Sequence, residues 1–239
     1  MLLVCAAIFV IAFLYSSVGH AGASGYIAVM TLFEFSPEVI KPTALILNVL
    51  VASIGSFQYW QAGHFSWRLF WPFAIAAVPL AFVGGYLNLP IHWFKVLVGL
   101  VLLFSALHFF IKATPDADTR PPSRGMAVAV GGGLGLLAGL TGTGGGIFLT
   151  PLLIFLRWAR TKTAAATSAL FILVNSVAGL AGNFSATRFL PAFAAAFAAA
   201  AVAGGVLGSS LGSQRLDVVL IKRLLAAVLT IAGLKLLFA

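Results

Sequence analysis

The sequence predicts an all-α polytopic membrane protein made of two repeats, each with four helical segments. Of its 239 residues, 62% are hydrophobic and only 8% are charged, which leaves too few polar side chains to cover a soluble globule. Apolar runs of about 20 residues, enough to cross roughly 30 Å of hydrocarbon as a helix, occupy most of the chain. The alternation of apolar and polar residues that a membrane β-barrel needs is missing.

The repeat is visible in two glycine-rich breaks inside apolar runs, Gly19–Gly25 and Gly139–Gly145, which lie 120 residues apart. The pair Gly84-Gly85 meets Gly204-Gly205 at the same offset. A polar linker with two aspartates and a Pro-Pro pair separates the halves. We therefore predict a first membrane repeat over 1–113, a linker over 114–124 and a second membrane repeat over 125–239.

Each repeat is predicted to open with a helix that glycines break. Residues 2–34 are longer than the roughly 20 residues that one crossing needs, which suggests two half-helices folded as a hairpin. Eight simple crossings with parallel repeats are the alternative topology. Counting the two arms of each broken helix as one segment, each repeat has four. The predicted ranges are 2–18 with 25–34, 43–60, 69–88 and 92–112, then 125–141 with 145–157, 163–183, 190–210 and 218–238.

Basic residues favour the hairpins. With both breaks folded as hairpins, ten basic residues fall on one side of the membrane and four on the other, whereas simple crossings give eight and six. Because cytoplasmic loops carry the excess of Lys and Arg, the larger bias is preferred. The two repeats are then inverted copies, both termini lie outside and the linker 114–124 is cytoplasmic. Inverted repeats with broken helices at the membrane midplane are typical of secondary transporters.

The breaks are also the predicted binding site, because unwound backbone at membrane depth is tolerated only beside protein or a water-filled cavity. Helices that restart after the breaks direct free N–H groups and positive dipole ends toward the site, which favours an anion. Small polar side chains on the following helices could bind the same anion. The alternative is that they form hydrogen bonds between helices. The candidate substrate-binding residues are Gly19, His20, Gly22, Ser24, Gly25, Asn48, Thr141, Gly142, Thr143, Gly144, Gly145, Ser168 and Asn175.

Charge inside the membrane is nearly absent from the sequence. No Asp or Glu falls in the middle of a predicted span, which argues against a carboxylate proton relay, a sodium site and a cationic substrate. His20 is the one ionisable residue in either break, and it is either a proton-coupling residue or a neutral histidine bonded to a carbonyl. No metal or cofactor is predicted, and the scattered basic residues do not suggest a nucleic-acid partner.

Two other functions share some of these features. A passive anion channel would use the same polar breaks without alternating access. An intramembrane serine protease is suggested by the glycine-serine-glycine pattern of Gly22–Gly25, with His108 as the base, since nucleophilic catalysis needs serine beside histidine. The repeat has Gly144 in place of that serine, which weakens the second alternative. A homodimer is compatible with the apolar exterior but is not specified by it.

The motif Gly-Leu-Thr-Gly-Thr-Gly-Gly-Gly-Ile-Phe-Leu-Thr-Pro at 139–151, together with its first copy and the Gly-Gly pairs, resembles the TauE/SafE family, the sulfite exporter-like or 4-toluene sulfonate uptake permease family. The resemblance covers nearly the whole chain. It implies a transporter of the bacterial inner membrane that exports a small anion, such as sulfite, an organosulfonate or sulfoacetate, by alternating access. The expected partners are that anion, the lipid bilayer and protons as coupling ion.

Overall fold

A computed structural model of the chain describes residues 1–87, 103, 106–107, 116, 118–187 and 194–238. The regular elements of these described residues are all helices, as predicted. The helices are α1 (Leu2–Ser17), α2 (Ala23–Leu32), α3 (Pro37–Gln61), α4 (Trp67–Tyr86), α5 (Arg124–Thr141), α6 (Gly146–Phe155), α7 (Thr161–Thr187), α8 (Ala194–Ser210) and α9 (Val218–Phe238), and a short π-helix (Leu211–Arg215) follows α8.

Five of the described helices, α3, α4, α5, α7 and α8, are long and apolar enough to cross a membrane. The short helices α2 and α6 have 10 residues each, about half of what a crossing needs. Both follow a glycine break. The predicted segment 92–112 and the start of 190–210 lie outside the described residues.

The chain folds back on itself at each break. The hydroxyl groups of Tyr15 and Ser24 are 3.0 Å apart, and Gly25 packs against the side chain of Ile11. A continuous helix would place residues 11 and 25 about 20 Å apart, so α2 returns along α1. In the second half, a Cβ atom at Gly145 would lie 3.1 Å from Ala138 Cβ, so the chain also turns back at this break.

The start of α3 differs from the prediction, because α3 begins at Pro37 rather than at residue 43. The predicted segments leave Lys41 and Pro42 between two helices. Proline is well suited to the first helical position, where its missing N–H is not needed, and Pro37 takes that position. Lys41 and Pro42 therefore belong to the helix.

The helices group into two lobes, and each lobe includes one helix from the other half of the sequence. Lobe 1 contains α1, α2, α3 and α8, because α8 packs on α1 and α3. Lobe 2 contains α5, α6, α7 and α4, because α4 packs on α5 and α7. Buried side chains of lobe 1 such as Ile8 and Phe197 form one apolar core, and those of lobe 2 such as Phe73 and Phe171 form another. The division of the chain into two repeats at the linker 114–124 stays a prediction about the sequence repeat. The helices pack by lobe and not by repeat.

Glycines bring α4 and α8 onto their partners at backbone distance. A Cβ atom at these positions would collide with the facing main chain, so only glycine fits. Three glycines of α5 follow α4 in the same order, Gly131 at Phe73, Gly135 at Ala77 and Gly139 at Ala81. Two glycines of α8 follow α1, Gly204 at Phe9 and Gly208 at Phe13. The matching order means that each of these pairs runs parallel.

The lobes meet along α3 and α7, which cross the middle of the molecule. Asn48 of α3 contacts Ser176 of α7, and Gly55, seven residues further along α3, faces Ala169 of α7. The contacts advance along one helix while they retreat along the other. Corresponding helices of the two halves, α3 and α7, are therefore antiparallel.

Basic residues gather at one end of the bundle. The start of α4, the linker, the start of α5 and the α6–α7 loop meet there around one cavity, to which Arg68, Arg124 and Arg160 contribute. On the same end, Asp116 pairs with Lys222 at 2.9 Å and accepts a hydrogen bond from the Thr161 amide at 2.8 Å. The linker is thus attached to the first turns of α7 and α9.

Candidate functional site

The two breaks meet at one side chain, Asn48 in the middle of α3. Its Oδ1 accepts a hydrogen bond from the backbone N–H of Ala23, the first residue of α2, at 3.1 Å. Its Nδ2 donates to the carbonyl oxygen of Thr143 at 3.2 Å and to Ser176 Oγ at 3.3 Å. Asn48 is completely buried. We call Asn48, Ala23, Thr143 and Ser176 the Asn48 cluster.

A second contact joins the breaks through His20. Its Nε2 forms a 2.8 Å hydrogen bond with Thr150 Oγ1, which lies in α6, just after the second break. Both side chains are buried. The contact spans 130 residues of sequence and connects lobe 1 with lobe 2. His20 is therefore placed at the lobe interface, where the two halves of the site approach each other.

The second break depends on three glycines in the left-handed region, Gly142, Gly144 and Gly145, with φ values of 72°, 74° and 79°. Side chains rarely adopt this conformation. Gly144 also lies against the Asn48 cluster, since a methyl group there would be 2.7 Å from Ser176 Oγ and 2.9 Å from Asn48 Nδ2. Gly145 precedes the first turn of α6, whose N-terminus has no side-chain cap. A helix end of this kind attracts anions.

The predicted hydroxyl residues have definite partners in the structure. Thr141 Oγ1 donates to the Leu137 carbonyl oxygen at 2.7 Å, within α5, and lies 2.8 Å from Thr143 Oγ1. Because its proton is used inside its own helix, Thr141 accepts from Thr143 and holds the second break in shape. Ser24 is similarly bonded to Tyr15 at 3.0 Å.

Two predicted residues of α7 are buried with polar atoms that no protein group satisfies. Ser168 and Asn175 are both fully buried, and neither Ser168 Oγ nor either amide atom of Asn175 has a hydrogen-bond partner. Thr43 and Thr167 have buried hydroxyls of the same kind. Buried polar atoms nearly always have a partner, so such a group is ready to bind a ligand or water.

The glycines of the first break serve mainly to fold the chain. Gly19 and Gly22 have positive φ values of 79° and 103°. Gly19 is pressed against Ala165 of α7, and Gly22 against the ring of Tyr26. Gly25 contacts Ile11, as described above. These glycines allow the hairpin and bring His20 to the lobe interface.

The centre of the described structure carries no acidic side chain. Glu34 lies in the turn after α2, Glu38 is the second residue of α3, Asp116 and Asp118 lie in the linker, and Asp217 precedes α9. Asp217 Oδ1 accepts from the amide of Leu220 and so caps α9. The site therefore consists of neutral dipoles, hydroxyls, amides and one imidazole, a set that suits a desolvated anion better than a cation.

The comparison with protein families decides the kind of protein. The family model described as "Sulfite exporter TauE/SafE" matches residues 4–236. The chain belongs to the TauE/SafE family. This agrees with the resemblance inferred from the glycine motifs, and membership makes the protein a membrane transporter rather than an enzyme.

Relatives of this TauE/SafE protein carry matching descriptions. It is 40% identical over 237 residues to the "Probable membrane transporter protein y4hK" of Sinorhizobium fredii, covering 97% of this chain and 96% of the relative. It is 35% identical over 85 residues to the "Probable membrane transporter protein YunE" of Bacillus subtilis, covering 35% of this chain and 30% of that protein. No solved structure matches the chain. The family and these relatives identify the chain as a multi-pass protein of a bacterial membrane that has a small-molecule substrate.

Sequence reasoning missed two side chains that contact the candidate site. Thr150 and Tyr15 hold His20 and Ser24, respectively, and neither is in the predicted site. Thr150 is the next-to-last residue of the family-like motif, and its place one turn after Gly146 was the available signal. Tyr15 gave no such signal, because a tyrosine in an apolar helix is most simply interpreted as a core residue. His108, the base of the protease alternative, lies outside the described residues.

Proposed function

We propose that the protein is a secondary carrier of a small anion, sulfite or an organosulfonate such as sulfoacetate, which it exports by alternating access. One observation carries the proposal: Asn48 binds the backbone of both glycine breaks at once, Ala23 N–H in lobe 1 and Thr143 C=O in lobe 2. A group placed between two lobes and bonded to both is suited to a site that changes its exposure when the lobes move.

The anion is proposed from the electrostatics of the site. The N-terminus of α6 is uncapped by side chains, the nearby buried polar atoms of Ser168 and Asn175 are unpartnered, and the described centre holds no carboxylate. Amides and hydroxyls of this kind bind a sulfur oxyanion by hydrogen bonding. The family description names sulfite, and small sulfonates present the same oxygens.

The antiparallel arrangement of α3 and α7 supports inverted repeats with opposite orientations in the membrane. The basic end of the bundle, with the linker, then lies in the cytoplasm under the positive-inside rule. The lobes, rather than the halves of the sequence, are the units expected to move, because α4 and α8 are packed at backbone distance on helices of the other half. A homodimer stays a prediction.

The carrier is tested by uptake of radiolabelled sulfite into proteoliposomes, with taurine, sulfoacetate and sulfate as competitors. A carrier gives saturable uptake, and unlabelled sulfite trapped inside the vesicles accelerates entry of the labelled anion. A passive channel conducts without this counterflow. Absence of flux for every anion, in protein shown to be folded, would contradict the proposal.

His20 is the proposed proton-coupling residue. An imidazole at the lobe interface, bonded to Thr150 of the opposite lobe, can exchange its proton when that contact opens. We expect His20→Gln, which keeps a hydrogen bond to Thr150, to transport sulfite without stimulation by a pH gradient. Normal transport with an unchanged pH dependence would remove His20 from the mechanism while leaving the carrier intact.

A further inference from the structure

One cavity of the molecule lies away from the breaks, at the basic end of the bundle. Its volume is about 950 Å³. Its walls come from the start of α4, the linker, the start of α5 and the α6–α7 loop, and they include none of the predicted substrate-binding residues. The transport mechanism therefore gives this cavity no role.

The cavity is strongly basic. Arg68, Arg124 and Arg160 line it, and no Asp or Glu is among its described lining residues. All three guanidinium groups are on exposed residues, so they are hydrated and available. Arginine suits phosphate because its planar fork can donate two parallel hydrogen bonds to one anion. Three such groups around one space supply the donors that a phosphate group needs.

The other walls are aromatic. Trp67, Trp71 and Trp158 line the same cavity, and the rings of Trp67 and Trp71 stack with their centroids 6.0 Å apart. Tryptophan concentrates at the level of the lipid head groups, where its ring contacts the acyl chains and its N–H contacts the polar layer. The cavity thus lies at the depth at which a phospholipid carries its phosphate.

An apolar stripe leads from the cavity along the outer face of α4. Trp67, Trp71 and Ile75, four residues apart, are 55%, 59% and 65% exposed, and Phe82 extends the stripe with 43% exposure. Residues at this spacing lie on one face of a helix. A soluble phosphate compound would leave this apolar surface uncovered, whereas the acyl chains of a lipid would cover it.

We propose that this cavity binds the head group of an anionic phospholipid, with its phosphate among Arg68, Arg124 and Arg160 and its acyl chains along the Trp67, Trp71 and Ile75 stripe. Basic pockets between membrane helices are known to bind anionic head groups. Because α4, α5 and the α6–α7 loop all belong to lobe 2, the lipid holds that lobe together and does not bridge the lobe interface. It stabilises the protein without opening or closing the site.

The experiment is a lipid titration of the purified full chain in neutral phosphatidylcholine nanodiscs. Phosphatidylglycerol is added, and the lipids retained by the protein are counted by native mass spectrometry. The test variant is the triple change R68Q, R124Q and R160Q. The matched control is the double change R215Q and R223Q, which removes exposed arginines outside the cavity. Thermal stability is followed in parallel with increasing phosphatidylglycerol.

The wild type and the control are expected to prefer phosphatidylglycerol to phosphatidylcholine and to gain thermal stability from it. The triple variant is expected to bind phosphatidylglycerol about a hundredfold more weakly, since each arginine near an anionic surface contributes on the order of 1 kcal/mol. If the triple variant does not fold, the single change R160Q replaces it, with an expected weakening of about fivefold.

Three results would overturn the proposal. Undiminished preference for phosphatidylglycerol in the triple variant excludes the cavity. An equal loss in the control variant indicates general surface charge rather than a site. Stabilisation by inorganic phosphate alone, lost in the triple variant and not matched by phosphatidylglycerol, assigns the cavity to a soluble phosphate compound. None of these readouts requires transport, so they stand or fall independently of the proposed carrier activity.

Discussion

The side-chain amide of Asn48 donates a hydrogen bond to the carbonyl oxygen of Thr143, 95 residues later in the chain, at 3.2 Å. Asn48 belongs to lobe 1 and Thr143 to the break that opens lobe 2. Asn48 itself is completely buried, and an amide donor that loses its partner there is costly. Any motion that separates the lobes must therefore exchange this bond for another partner, and in the proposed carrier that partner is the bound anion.

Replacing Asn48 tests this relationship. We expect Asn48→Ala to reduce sulfite transport at least tenfold and to lower thermal stability, because it leaves the Ala23 amide and the Thr143 carbonyl without their partner, at about 1–3 kcal/mol each. Proteoliposome uptake and a thermal unfolding curve measure the two effects. Ser53→Ala is the matched control, since Ser53 is exposed on the same helix and bonds only to its own turn at Val49. Equal transport by both variants would contradict the assignment.

Gly144 is expected to tolerate no side chain. Gly144→Ala adds a methyl group beside Ser176 and Asn48 and also forces alanine into the left-handed region, at a cost of roughly 1–2 kcal/mol. Gly63→Ala provides the control, because Gly63 has a φ of 75° but nothing within 4 Å of the added methyl. We predict similar backbone strain in both variants and loss of sulfite uptake in Gly144→Ala alone. Retained uptake there would mean that the Asn48 cluster is not at the site.

Asn175 separates binding from stability. Its buried amide has no protein partner, so replacement by the similarly sized leucine removes an unsatisfied polar group from the ligand-free protein. We therefore expect Asn175→Leu to unfold at the same or a higher temperature and yet to bind sulfite more weakly, with a raised KM for uptake. An unchanged KM would show that Asn175 does not contact the anion.

Asp116 is expected to stabilise the protein in a pH-dependent way. Burial, the largest single effect, raises the pKa of Asp116, but hydrogen bonds from Thr161 and Lys222 together outweigh it and bring the pKa below its ordinary value of 3.8. A carboxyl whose folded pKa is lowered stabilises the fold fully above the ordinary value and loses that contribution as the pH falls through the lowered one.

The variant Asp116→Asn cannot form this ion pair. We expect its unfolding temperature to lie below that of the wild type at pH 7 and the difference to shrink below pH 4, in thermal unfolding curves recorded across that range. Asp118→Asn is the control, because Asp118 is exposed in the same linker. A difference that stayed constant with pH would indicate that the carboxylate charge is not responsible.

Much of the fold follows from the sequence because membrane helices depend on local composition. The ends of α1, α4 and α5 lie within two residues of their predicted limits. The early start of α3 was missed. A proline can either begin a helix or lie in a loop, and which of the two Pro37 does depends on the conformation of the chain before it. The two lobes were beyond prediction for another reason. The glycines at 131, 135 and 139 indicate that another helix packs closely on α5, but they do not specify that this helix is α4.

The candidate site was predictable from the sequence where its residues break the helical pattern. Glycine in an apolar run has few explanations, and the breaks led to His20, Thr143 and Gly144. Thr150 and Tyr15 sit inside regular helices, so only the fold brings them to His20 and Ser24. The partner of a side chain is a property of tertiary structure, and no spacing rule relates residues 130 positions apart.

The glycine contacts of α4 and α8 also bear on how the protein is made. When the first half has been synthesised and inserted, the faces of α1 and α4 that receive α8 and α5 have nothing to pack on, so assembly waits for helices that are still to be translated. Neither half is a folding unit by itself. Segments 1–113 and 125–239, produced as separate chains in one cell, are expected to protect each other from membrane proteases, and each alone is expected to be degraded.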